Sequence, residues 1–167
     1  MRTVIGCLLL LVGSLRATPR LVCVDDQVGL APPAQASMYQ ELTVLLGNRK
    51  VRLASADCDA AENGAIRLFI RRQGPLADIL GRAQLDGSRI APRLEVFLVP
   101  VLDLLQDPTC WASVGRALGR VAAHEVTHYL DQIVEHDPAG LMRAGFTRRE
   151  LAAEDSFPFW LQAIRQN

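Results

Sequence analysis

The sequence predicts an α+β domain: a mixed sheet of about four strands backed by helices, one helix running through the middle, and a short C-terminal helical lobe. Three observations carry this prediction. Four short segments of β character occupy the first hundred residues. One long stretch, 113–134, has helical periodicity and is apolar on more than one face, as a central helix must be. A length of 167 residues, 50% hydrophobic and 22% charged, argues for a single packed domain.

The elements follow in order. Residues 1–17 start with a basic residue, continue with an apolar run over 4–12 and end in small residues. That is the three-part plan of a secretory signal peptide, and the run is too short to span a bilayer. The mature chain, 18–167, is therefore expected to be secreted or periplasmic, with no membrane contact after signal removal. Residues 21–24 read as a strand. Pro32-Pro33 opens a helix that places Met38, Leu42, Leu45 and Leu46 at helical spacing, and Gly47-Asn48 stops it. Residues 50–54 alternate apolar and polar as a second strand, and 65–71 form a third after the Asn63-Gly64 turn. The stretch 76–92, rich in breakers, gives no assignment. Residues 93–99 (RLEVFLV) are a fourth strand, which Pro100 assigns to a sheet edge. The helix over 113–134 comes next and is ended by Asp137-Pro138. Thr147 and Glu150 have the spacing of a capping box for a last helix, interrupted at Pro158.

Composition excludes several classes. Lys+Arg and Asp+Glu are equal at 18 each and the pI is near 6.8, so there is no electrostatic footprint for nucleic acid. Nothing points to an assembly, and a monomer is expected. Of the four cysteines, Cys7 would leave with the signal. Cys23 sits in an apolar stretch and reads as a core thiol. Cys58 and Cys110 lie in polar, turn-like surroundings and are the expected disulfide pair. No Cys-x-x-Cys occurs, which argues against a zinc site built from cysteine.

The chemistry lies in His124-Glu125-Val126-Thr127-His128. Residues four apart share a helix face, so both imidazoles can aim at one point, while Glu125 is turned about 100° away and can reach a water held there. Random placement of three His and seven Glu yields this pattern roughly 0.002 times, and the three His of the chain all fall within 124–136. Two imidazoles make a weak cage. Catalytic zinc takes three protein ligands and leaves one position for water. His136 can serve as the third only if the helix breaks between Gln132 and His136, because a continuous helix would carry it past the ion. Glu150, Glu154 and Asp155 compete for that place.

The run resembles the zincin metallopeptidases. The third His followed by Gly140-Leu141-Met142 is similar to the metzincin group, in which a Met-containing turn underlies the metal. In that group the third His comes ten residues after the first with a Gly between. Here it comes twelve after, and Asp131 stands where that Gly would be. The spacing is similar to that of small secreted bacterial zinc metallopeptidases. The match covers residues 113–143. The resemblance implies a zincin-like domain with Zn2+ on His124, His128 and His136, a Met-turn role for Met142, Glu125 as general base and a peptide or protein as substrate. It also implies that the edge strand, read at 93–99, borders the cleft and pairs with that substrate. Arg143 and Tyr129 are candidates to stabilise the oxyanion, and Asp131 or Asp137 to orient an imidazole. Two other readings are a non-catalytic zinc-binding module and a zinc ribonuclease. The neutral pI, the signal peptide and Glu125 count against the ribonuclease.

Overall fold

The computed structural model describes residues 19–55, 64–106, 110–156 and 159. Residues 1–17, read above as a signal peptide, and Cys58 lie outside these residues. Nine elements follow one another: β1 (Arg20–Asp26), α1 (Pro32–Leu46), β2 (Val51–Ala54), β3 (Ile66–Arg71), β4 (Gly81–Asp86), β5 (Arg89–Phe97), α2 (Leu98–Leu105), α3 (Trp111–Asp131) and α4 (Arg148–Ala152). The strands form one five-stranded mixed sheet in the order β2-β1-β3-β5-β4. The first four of these are mutually parallel, and β4 alone runs antiparallel, on β5.

The sheet buries one apolar face against α1 and α3. Val22, Val24, Leu68, Ile70, Leu94 and Val96 share a core with Met38 and Leu42 of α1 and Leu118 and Val126 of α3. α1 begins where expected because prolines at its first two positions need no N–H partner. The turn before it is closed by the Asp26 carboxylate, which accepts the N–H groups of Val28, Gly29 and Leu30. α1 and α3 come close enough that a Cβ on Gly115 would lie 2.0 Å from the Ala34 carbonyl oxygen, and one on Gly119 would lie 2.9 Å from that of Met38. Gly115→Ala is therefore expected to force the two helices apart and to destabilise the domain by about 2–3 kcal/mol. Chemical denaturation of the variant beside wild type measures this.

Three expectations are corrected. The strand read at 93–99 runs from Arg89 to Phe97 and is not an edge, because β3 and β4 pair with it on either side. The edge strand on that side is β4, which the weak pattern of 76–92 concealed. Pro100 lies in the first turn of α2, where its missing N–H costs nothing. Pro92 is the proline of β5, and it lies opposite the irregularity that separates Ala83 from Leu85 in the β4 ladder. Finally, Cys110 is not disulfide-bonded: it is a free, exposed thiol just ahead of α3. Cys23 carries the disulfide instead, and its partner lies outside the described residues. An apolar stretch fits a buried disulfide as well as a buried thiol. Along β1, Cys23 alternates with Val22 and Val24, so its sulfur lies on the sheet face turned away from the helices.

Among the described residues no helix is long and apolar enough to cross a membrane. The capping box forms as read, with Thr147 Oγ1 accepting the Glu150 N–H and the Glu150 carboxylate accepting the Thr147 N–H. α4 then stops at Ala152, well before Pro158.

Candidate metal centre

α3 ends at Asp131, and Gln132 follows in the left-handed region (φ 52°, ψ 40°) with its N–H donated to the His128 carbonyl. That conformation costs a residue with a side chain about 1–2 kcal/mol. The Gln132 amide makes three bonds from it. Nε2 donates to the carbonyls of Ile90 (3.1 Å) and Tyr129 (2.7 Å), and Oε1 accepts the Ile90 N–H (3.0 Å). The helix thus breaks where a third ligand needs it to. A second turn brings the chain back, with Asp137 N–H donating to the Met142 carbonyl at 2.7 Å and Gly140 at φ 78°.

His124, His128 and His136 converge, each offering one ligand nitrogen, all within 4.8 Å of one another. His128 Nε2 lies 2.9 Å from His124 Nε2 and 3.2 Å from His136 Nε2. On the far side of the rings, His124 Nδ1 is 2.7 Å from the Leu141 carbonyl and His128 Nδ1 is 2.5 Å from that of Ile133. A carbonyl only accepts, so both Nδ1 atoms carry the proton and both Nε2 atoms present lone pairs to the centre. Facing lone pairs repel unless a proton or a cation lies between them. Burial, the largest influence, lowers the His124 imidazole to about 4, and burial also pushes that of His128 below its ordinary value. Three converging imidazoles, two of them presenting lone pairs to the centre, suit a metal ion. A tetrahedral ion about 2.0–2.1 Å from each nitrogen would set them about 3.4 Å apart, close to the spacings present.

Glu125 stands outside this ligand set. Its carboxyl group is buried against β4: a Cβ on Gly81 would lie 2.6 Å from Oε1, and the Ala83 backbone N–H donates to it. Burial raises it to about 8. Raised above its unfolded value of 4.5, this group contributes stability that is complete below pH 4.5 and lost as pH rises through 8. His124 acts oppositely, since its contribution is lost as pH falls from 6.5 towards 4. In the metal-free protein Glu125→Gln is therefore expected to be neutral at pH 4.5 and stabilising at pH 8, on the order of 3 kcal/mol. Thermal unfolding at the two pH values checks this.

These groups line a cleft of about 770 Å³, bounded by β4, by Pro100 and Leu104 of α2, by Val121, and by the segment 143–146. Leu85 and Val134 stand exposed on its rim. β4 borders the cleft and forms one edge of the sheet.

No protein family, curated protein or solved structure matches the chain. What the centre can do follows from its own geometry. The carboxylates that compete with His136 are engaged or remote. Glu150 pairs with Arg143 and Thr147, while Glu154 and Asp155 are exposed and outside the cluster. Asp131 pairs with Arg49, and Asp137 takes part in the second turn through its backbone. Backbone carbonyls orient the two imidazoles instead. Tyr129 does not line the cleft and its ring faces the Arg20 guanidinium at 5.8 Å, whereas Arg143 does line it. Met142 closes the second turn with its carbonyl, and its neighbour Leu141 bonds His124. The ring packed on His124 is Phe146, edge-on at 5.6 Å, itself backed by Phe159 at 5.7 Å. Gly81, Ala83, Gln132 and Phe146 escaped the sequence reading. Only Gly81, a glycine opening a short alternating run, left a trace in the sequence.

Proposed function

We propose that the chain is a secreted zinc-dependent peptidase of the zincin type, cutting a polypeptide that lies along the cleft. The observation that carries this reading is the position of Glu125, buried at the cleft wall beside a ligand histidine yet outside the ligand set. A structural zinc site closes its fourth position with another protein ligand. Here the three histidines line an open cleft whose wall also carries the Glu125 carboxyl. His124, His128 and His136 would hold the ion through Nε2, with the Leu141 and Ile133 carbonyls fixing two of the tautomers. When bound, zinc supplies Lewis acidity, which makes water acidic near neutral pH and polarises a carbonyl.

The chain's own residues do the rest. Glu125 takes the proton of the attacking water and delivers it to the departing amine. Its burial makes it a stronger base than an ordinary glutamate, and positive charge nearby favours its ionised form. The free edge of β4 can accept an extended peptide as a further strand, and the apolar rim at Leu85 and Val134 suits apolar side chains. Arg143, which lines the cleft while paired with Glu150, would be the cation to meet a developing oxyanion.

The test is to strip the mature protein of metal, add zinc, and digest a mixed peptide library with mass-spectrometric readout. The expected result is one zinc per chain and cleavage that stops on chelation and returns with zinc. Zinc bound at one per chain with no cleavage would leave a non-catalytic zinc module, and the peptidase reading would fail.

A further inference from the structure

We propose that Gln132 is the positioning residue of the third metal ligand, acting through its side-chain amide and not through the left-handed backbone conformation that ends the helix. The inference rests on the zinc reading above. Lys50 and Gln106 also end helical segments in the left-handed region without being glycine, so the backbone conformation does not distinguish Gln132. Its side chain does. The amide bonds both the N–H and the C=O of Ile90, the pairing an adjacent strand would make, and it bonds the Tyr129 carbonyl as well. Ile90 is buried, lies at the start of β5 opposite Leu85 of β4, and lines the cleft. The amide therefore pins the end of the ligand helix to the hairpin that forms the other wall.

The pin matters because little else holds the loop that follows. Residues 133–136 are exposed throughout. Among the described contacts, the backbone of this loop is tied upstream by Ile133, whose N–H and carbonyl face His128, and downstream by the bond from Asp137 to Met142. His136 nevertheless has to return to within 3.2 Å of His128 Nε2. Its ring packs on those of His124 and His128 themselves, so the direction in which the chain leaves Gln132 decides whether the third imidazole arrives there. The same bonds hold β4 and β5 at a set distance from the ligand helix, so the metal loop and the substrate edge share one anchor.

The variant Gln132→Gly separates the two roles. Glycine adopts the left-handed cap without strain, so a residue that merely ends the helix would be improved by it. The expected result is a metal-free Tm that changes little, because the relieved cap strain offsets the lost amide bonds, with faster hydrogen exchange at the Ile90 amide and zinc affinity lowered about 10–100-fold in competition with a chelator of known affinity, the range seen when a group orienting a ligand is removed. Gln132→Glu keeps the length but replaces the donor by an acceptor facing two carbonyls, and the same loss of zinc affinity is expected. Wild-type zinc affinity in either variant would overturn the proposal while leaving the peptidase reading intact. A wild-type protein that binds no zinc would overturn that reading first.

Discussion

Glu125→Gln is expected to keep its zinc and to lose hydrolysis by about 10²–10⁴-fold in kcat, the usual worth of a positioned general base. The separation of the two effects follows from geometry. Glu125 is not one of the converging ligands, and its carboxyl group faces β4, where Gly81 leaves room for it and Ala83 donates to it. An amide of the same size can keep the Ala83 contact but cannot accept a proton from water. The zinc titration should therefore superimpose on that of wild type while turnover of any cleaved peptide collapses. Equal turnover in variant and wild type would exclude Glu125 as the base. Loss of zinc along with turnover would show that the carboxylate belongs to the ligand set after all. In the same variant the metal-free protein should be stabilised at pH 8, so a folding defect cannot account for inactivity.

The second large effect is expected just outside the cleft. Arg120 is fully buried on α3, one turn before His124. Its Nε donates to the Glu41 carboxylate of α1 at 2.8 Å, and its other nitrogens donate to the carbonyls of Glu150 (2.6 Å), Leu151 (3.1 Å) and Asp155 (2.9 Å). Ser156 completes the network by donating to Glu41 at 2.7 Å, and the Phe159 ring lies 5.1 Å from the guanidinium. One cation thus docks the segment 150–156 on α3. Arg120→Met would leave a buried carboxylate without its countercharge and three carbonyls without a donor, at a cost of about 3–5 kcal/mol. Denaturant unfolding should show this. The double variant Glu41→Gln with Arg120→Met should recover part of the loss, because removing both charges is milder than stranding one. Because Phe159 backs Phe146, which packs on His124, Arg120→Met should also weaken zinc binding.

Some of this was legible along the chain because it obeys a local rule. The period of α3, the prolines opening α1 and the Thr147–Glu150 capping box each depend on residues within about a turn of one another. The spacing of His124 and His128 does too, and the need for a break before His136 follows from the rise of a helix. The sheet was harder. β4 is short, contains a glycine and an irregularity, and buries little of its own surface, so its pattern is weak although its position decides the cleft. α2 (LVPVLDLL) was missed because a short apolar run with a proline resembles a buried strand as much as a helix. The disulfide was misassigned because sequence surroundings report polarity, while pairing depends on which sheet face a sulfur occupies.

The sequence by itself singled out the groups of the candidate centre, three histidines and one glutamate, because their relation is written in helical period and a turn signal. Only the tertiary structure decided how those groups are held. The Ile90 backbone bonded by Gln132, the Leu141 and Ile133 carbonyls behind the imidazoles, and the glycine of β4 that makes room for Glu125 are contacts between backbone and side chains brought together by packing. A backbone N–H or C=O is common to nearly every residue type, so no letter of the sequence announces where one will be used.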